Sequence, residues 1–180
     1  MTSTTRFITL PALGLCALLG WYFTTQILDF EDLVSCGISD DEYRWDYSQE
    51  LCFFVLRHIP ITQGSLEDIN ENGGLDYVLS GENPAKYSIA EILLNNGLPV
   101  DGDAEEDDIE ENDDFPSPLV TAIFMNDPRR VGFLLDHGAS TLVSRHHHKT
   151  AMDLVHELMR KNPGVDRSAV IHLLEQYSAS

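Results

Sequence analysis

Apolar residues recur at helical spacing directly after Ser117-Pro118. Ser117 can cap a helix with its hydroxyl, and Pro118 at the first helical position loses only an N–H that has no partner inside the helix. The residues that follow place an apolar stripe on one face of such a helix: Leu119, Ala122 and Ile123. The pattern therefore predicts a short helix that begins at Pro118.

The same signature returns at Asp127-Pro128, where Asp127 serves as the cap. The apolar positions of this second helix are Val131, Leu134 and Leu135. Gly138 follows, and glycine suits the left-handed residue just past the end of a helix. The stretch thus predicts two short antiparallel helices joined by a tight turn.

This helix pair resembles the ankyrin repeat, a unit of about thirty-three residues with the consensus Thr-Pro-Leu-His-x-Ala, then Val, then Leu-Leu-x-x-Gly-Ala. Val120 stands where the family has a His that ties neighbouring repeats together. Because each pair has two faces that only stacked neighbours can cover, the resemblance implies further repeats on both sides. The matching residues are Ser117, Pro118, Leu119, Ala122, Val131, Leu134, Leu135, Gly138 and Ala139.

Two weaker copies flank this repeat. Downstream, Thr150-Ala151-Met152-Asp153-Leu154 resembles the family variant Thr-Ala-Leu-Asp-Leu, and an enlarged turn is expected at 161–164. Upstream, Asn83-Pro84 opens a helix that ends at Gly97, and a first helix near residues 76–79 matches poorly. The second helix of the downstream copy carries Val170, Leu173 and Leu174.

The resemblance implies an all-α fold, a helical ankyrin-repeat solenoid of about three repeats over residues 75–180, with an acidic insertion at 101–114. Residues 29–74 are predicted to form a helical cap for this stack. Within the cap, Ser39 is expected to start a helix, and Ser65 with an acid three residues later resembles a capping box. Gly73-Gly74 is expected to end that second helix.

Residues 7–23 form an apolar run without a charge, preceded by Arg6 and followed by acidic residues. A run of this length lies at the short end for a membrane span of about twenty residues. We interpret residues 1–28 as a transmembrane signal-anchor, with a cleaved signal peptide and a buried core helix as the alternatives. With its positive charge on the amino side, the segment predicts an inner-membrane anchor with the bulk of the chain in the periplasm.

The cysteines fit an exported protein. Cys16 falls in the apolar segment, which leaves Cys36 and Cys52. In an oxidising compartment these two could form a disulfide, and the alternative is a pair of buried thiols. Their spacing suits neither a zinc site nor a thioredoxin-type motif.

Charge is high and uneven. The net charge is −19, and residues 29–127 hold 25 acidic and 3 basic side chains, whereas 128–180 hold 5 and 7. A nucleic-acid partner is disfavoured, because the phosphate backbone would be repelled. Ten carboxylates fall within 101–114 without a cation: Asp101, Asp103, Glu105, Glu106, Asp107, Asp108, Glu110, Glu111, Asp113 and Asp114.

Three interpretations of this acidic run stay open. It can attract a basic protein surface by long-range steering, or serve as a solvated insertion that keeps the chain soluble. Asp101, Asp103 and Glu105 also have the first alternating positions of a calcium loop, but the Gly at the sixth position and the Glu at the twelfth are missing. In the ankyrin interpretation the run is an enlarged loop at the edge where such repeats meet their partners.

Residues 145–149 precede the Thr150 repeat and contain three consecutive histidines. Consecutive side chains in an extended segment point to opposite faces, so a metal site is the weakest alternative beside an exposed turn and a partner contact. With the acidic run, we assign Arg145, His146 and His147 as candidate partner-binding residues.

No catalytic motif of the common hydrolases, nucleotide-binding enzymes or metalloproteases occurs, so we predict a binding protein without a cofactor rather than an enzyme. Small, acidic, exported ankyrin proteins resemble immunity proteins of type VI secretion systems. The expected partner is then a toxic lipase or phospholipase effector delivered to the periplasm. The alternatives are a periplasmic accessory protein for a resident enzyme such as a catalase, and a membrane-tethered scaffold.

Overall fold

Helices account for most of the chain that the structure describes. The computed structural model describes residues 29–39, 48–102, 117–144 and 149–178. The helices are α1 Phe30–Ile38, α2 Gln49–His58, α3 Gln63–Glu71, α4 Gly74–Ser80, α5 Lys86–Asn95, α6 Pro118–Met125, α7 Pro128–Asp136, α8 Ala151–Lys161 and α9 Ser168–Ser178. This confirms the predicted all-α class.

The two central helices begin where the sequence predicts. Helix α6 starts at Pro118, and α7 starts at Pro128 with the Asp127 carboxylate accepting a hydrogen bond from the Arg130 amide at 3.0 Å. The predicted hydroxyl cap at Ser117 is wrong, because its side chain makes no capping hydrogen bond. Only the proline and the apolar stripe mark this start.

Two helix ends share one turn geometry. Gly97 after α5 and Gly138 after α7 have φ values of +106° and +84°, in the left-handed region. At the first turn the Leu98 amide donates to the Leu93 carbonyl, and at the second the Ala139 amide donates to the Leu134 carbonyl, both at 3.0 Å. These six-residue closures are Schellman motifs, which satisfy carbonyls that the helix end leaves unpaired. The chain therefore leaves α5 and α7 in the same way.

Three helix pairs lie side by side. Helices α4 and α5, α6 and α7, and α8 and α9 pack on each other within the pairs. Helix α6 contacts both α4 and α8, and α7 contacts α9. Helix α5 reaches α7 through the Tyr87 and Phe133 rings, whose centroids are 5.3 Å apart in an edge-to-face arrangement. The first helices of the pairs thus form one row and the second helices another.

One apolar core runs through all three pairs and the helices before them. Its completely buried members include Leu75, Ile89, Leu119, Leu134, Val155 and Val170. Val120, the residue in place of the family histidine, is also buried. No single pair could bury these side chains by itself, because each pair is only one layer thick.

Two buried arginines connect neighbouring pairs. Arg130 on α7 forms an ion pair with Asp76 on α4 and also donates to the Asp76 carbonyl at 3.1 Å. Arg167, just before α9, donates to the Ile123 carbonyl at 2.5 Å, near the end of α6. Both arginines are only 5% exposed. Each arginine therefore links two neighbouring helix pairs.

Helices α1, α2 and α3 cover the amino-terminal side of α4 and α5. Cys36 on α1 and Cys52 on α2 form a disulfide, with 6.1 Å between their Cα atoms. The alternative of two buried thiols is therefore excluded. Gly81 lies so close to Ile38 that an added Cβ would be 2.5 Å from the Ile38 carbonyl oxygen, so α1 fits tightly onto the turn after α4.

Two predicted helix starts are displaced, and a third lies outside the described ranges. Ser39 directly follows α1, and residues 40–47, where the predicted helix would begin, are not described. Helix α2 begins after Ser48, whose hydroxyl accepts from the Leu51 amide. Helix α3 is capped by Thr62, which leaves Ser65 inside the helix. Helix α5 begins only at Lys86, because the Asn83 side chain accepts from the Ala85 amide at 2.8 Å and holds a turn there.

A short antiparallel hairpin, β1 Leu142–Ser144 and β2 Lys149–Thr150, precedes α8 and was not predicted. In the described ranges no helix is long and apolar enough to cross a membrane. The predicted signal-anchor at 1–28 lies outside those ranges.

Candidate protein-interaction surface

Asp101 is the one predicted partner-binding residue that the structure describes. Its two carboxylate oxygens each accept a hydrogen bond from the Ser140 amide at 3.1 Å. The remaining predicted residues lie outside the described ranges: Asp103, Glu105, Glu106, Asp107, Asp108, Glu110, Glu111, Asp113, Asp114, Arg145, His146 and His147. Their role as contacts stays a prediction.

The Asp101–Ser140 contact brings two loops of the chain together. Asp101 comes four residues after the Gly97 turn, and Ser140 comes two residues after the Gly138 turn. The acidic run leaves the described structure just after Asp101, while the hairpin that carries residues 145–148 begins just after Ser140. Both segments therefore start from one side of the helix pairs.

The described chain resumes on this same side at Ser117. Helices α6 and α7 pack on each other and are joined by a two-residue turn, so they run antiparallel. Ser117, at the start of α6, consequently lies at the same end as the Gly138 turn, at the end of α7. We call this side, made of residues 97–102, 117 and 138–142, the loop edge.

The base of the hairpin, at Lys149, is tied by an ion pair to Glu157 on α8. Lys149 and Lys161 both contact the Glu157 carboxylate, each with an N–O distance of 2.5 Å. Hydrogen bonds from Lys149 and then from Lys161 lower the pKa of Glu157 to about 2. Glu157 is therefore ionised at neutral pH, and Lys149 is not a free cation for a partner.

The start of α8 is fixed by a complete capping box. The Asp153 amide donates to the Thr150 hydroxyl at 3.2 Å, and the Thr150 amide donates to the Asp153 carboxylate at 3.0 Å. The hydrogen bonds that the Thr150 amide and then the Thr150 hydroxyl donate to the Asp153 carboxylate lower the pKa of Asp153. Asp153 is thus committed to the helix start, and the hairpin is held firmly at its carboxyl end.

Two of the described histidines bind a backbone carbonyl four residues earlier in the chain. His58 Nδ1 donates to the Phe54 carbonyl and His137 Nδ1 to the Phe133 carbonyl, both at 2.7 Å. Over the part of the chain that the structure describes, no group of three or more His, Cys, Asp or Glu side chains is placed to hold a metal ion.

A second exposed surface was missed by the sequence analysis. Phe124 is 51% and Met125 is 72% exposed, at the end of α6 opposite the loop edge. Arg167 binds the carbonyls of Ile123 and Phe124, which holds this helix end in place. The sequence contains a signal for this surface, because both side chains fall outside the apolar stripe of α6.

Comparison with protein-family models, with curated proteins and with solved structures found no match to this chain. The assignment of a function therefore depends on the residues and geometry described above.

Proposed function

We propose that this chain is an ankyrin-type repeat protein that binds another protein through the loop edge. The observation that carries the proposal is the contact between Asp101 and Ser140, which lie four and two residues after two helix turns of the same type. Equivalent exits from α5 and α7 are what a repeated helix–turn–helix unit requires. The row of α4, α6 and α8 supports the same interpretation.

The arginine contacts account for the departure from the family pattern at Val120. In the family, a histidine at that position ties neighbouring repeats together. Here Arg130 reaches Asp76 of the preceding pair, and Arg167 reaches the end of α6. We infer that these two buried side chains replace the missing contact between repeats.

Electrostatics favours a basic partner. Nine carboxylates lie between Asp101 and Ser117, in addition to Asp101 itself. Clustered charges of one sign raise association rates by roughly 10- to 1,000-fold for partners of opposite sign. The cluster of Lys149, Lys161 and Glu157 carries a net charge of +1, which offsets only a small part of the charge of the ten carboxylates.

The most specific form of the proposal is an immunity protein. Its cognate toxin is a lipase or phospholipase effector of a type VI secretion system, acting in the periplasm. The apolar segment at 7–23 supplies the export signal, the repeats supply a rigid surface, and the acidic run supplies steering. Binding across the entrance to the toxin's active site would block its substrate.

Co-expression tests this function. The gene beside that of the chain is expressed with a periplasmic signal, alone and together with the full chain, and growth and recovery of a one-to-one complex are scored. The proposal expects toxicity that the chain relieves, together with a stable complex. A neighbouring gene that is harmless in the periplasm, or toxicity that the chain leaves unchanged, contradicts the proposal.

A matched pair of variants tests the role of the acidic run. One replaces Asp107, Asp108, Glu110 and Glu111 by their amides, and the control replaces four exposed carboxylates elsewhere: Glu50, Glu67, Glu71 and Glu91. Both remove four negative charges. We expect protection to be reduced by the first variant and retained by the control. Equal protection by both would contradict a specific role for the run.

A further inference from the structure

Helix α2 packs mainly on α1, and few of its side chains are fully buried. Of its ten residues only Cys52 and Leu56 are buried. Leu51 and Phe54 on the other side are 46% and 59% exposed. Phe53 and Val55 are partly buried against the core. One of the two fully buried residues is thus a member of the disulfide, which is the covalent part of the attachment of α2 to α1.

The polar contacts of α2 are concentrated at its first residue. The Gln49 side chain donates to the Ser39 carbonyl, and its oxygen accepts from the Asn83 side chain at 2.7 Å. Both contacts are only partly buried, where water can replace them at small cost. They position the start of α2 but do not hold its later turns.

The disulfide joins α2 to a helix that is well packed. Helix α1 buries five residues, including Cys36, and contacts α3, α4 and α5 as well as α2. The loop that the disulfide closes has its ends 16 residues apart, entirely before the first helix pair. The disulfide therefore restricts the motion of α2 and of the segment that joins it to α1. It does not act on the packing between the three helix pairs.

We propose that the Cys36–Cys52 disulfide is a redox-dependent lock on α2. While it is oxidised, α2 stays on α1 and α5. A dithiol reductant supplies two electrons and two protons, the S–S bond breaks into two thiols, and the dithiol becomes a disulfide. Helix α2 then opens as a local unit while the three helix pairs stay folded. The exposed face with Leu51 and Phe54 is presented in a fixed position only under oxidising conditions.

The expected change in the opening equilibrium of α2 follows from the entropy of loop closure. In the chain-entropy model, a crosslink that closes a loop of about 15 residues changes the opening equilibrium by roughly 100-fold. Amide hydrogen exchange reports such local opening, since exchange of a protected amide requires its hydrogen bond to open. The faster exchange should appear in the later turns of α2, because the amides there are protected only by the hydrogen bonds of the helix itself.

Hydrogen exchange with mass spectrometry on the full chain tests the lock. The oxidised chain is compared with the chain in dithiothreitol and with the Cys36→Ser/Cys52→Ser variant, which cannot re-form the bond. We expect amides at 53–58 to exchange about 100-fold faster in both reduced forms. Amides of α6 and α7 should change by less than about threefold.

Cys16→Ser is the matched control, because it removes the one cysteine outside the disulfide and should leave every helix unchanged. Two results would overturn the proposal. One is unchanged exchange at 53–58 in the double variant. The other is equal acceleration in all helices, which would make the disulfide a support of the whole fold.

Discussion

Arg167 provides a quantitative test of how the helix pairs are connected. Its side chain is 5% exposed, and its guanidinium donates to the Ile123 carbonyl at 2.5 Å and the Phe124 carbonyl at 3.4 Å. A cation at the end of a helix also interacts favourably with the helix dipole. Replacement of Arg167 should therefore weaken the contact between the second and third pairs.

The expected loss can be worked out from these contacts. A hydrogen bond from a charged donor contributes about 1.5–3 kcal/mol. The Ile123 carbonyl also accepts from the Asn126 amide at 3.1 Å, so it is not left without a partner, and the lower part of that range applies. We expect Arg167→Met, which keeps most of the apolar stem, to lower the free energy of unfolding by about 1.5 kcal/mol. Arg167→Ala also loses packing, which brings the loss to about 2.5 kcal/mol.

Urea unfolding followed by circular dichroism measures these losses. With a slope of about 1–3 kcal/mol per molar urea, Arg167→Ala should lower the midpoint by roughly 1 M or more. Arg160→Ala is the control, since Arg160 is exposed on α8, and should stay within about 0.5 kcal/mol of the parent. If Arg167→Met is as stable as the parent chain, the hydrogen bonds to α6 contribute nothing and the reasoning is wrong.

Two further predictions concern the cap and the hairpin base. Gly81→Ala should destabilise the fold by about 1–3 kcal/mol in urea unfolding, because its Cβ would lie 2.5 Å from the Ile38 carbonyl oxygen. Gly164→Ala, with no atom within 4 Å, is the control, and equal losses would contradict the tight fit. The Glu157 carboxyl should titrate near pH 2 by NMR and move upward towards 4.5 in Lys149→Ala. Since its pKa is lowered by folding, its stabilisation is complete above pH 4.5 and is lost as the pH falls towards 2; an unshifted midpoint in the parent chain would contradict the ion pair.

Local signals in the sequence were sufficient for the central helices. Pro118, Asp127-Pro128 and Gly138 act within a few residues of themselves, so their effect does not depend on the rest of the fold. The starts of α3 and α5 were misplaced because several residues in each stretch can cap a helix. At α3, for example, both Thr62 and Ser65 qualify, and the choice depends on which register buries Leu66 and Ile69.

The contacts between distant residues could not be read from the sequence. Arg130 and Asp76 are 54 positions apart, and nothing near either residue indicates the other. Asp101 was selected for its charge, whereas its contact with Ser140 became visible only once the two helix turns were placed together. The disulfide was predictable because elimination of Cys16 left one possible pair.

The rate at which the chain associates with the toxin encoded by the adjacent gene is the most direct test of binding through the loop edge. It is measured for the parent chain, for the variant with amides at positions 107, 108, 110 and 111, and for the matched control, from low to physiological salt. We predict that the first variant associates at least about tenfold more slowly at low salt and that the difference shrinks as salt is added. The control should stay within about threefold of the parent. Equal rates for both variants at every salt concentration would contradict binding through the loop edge.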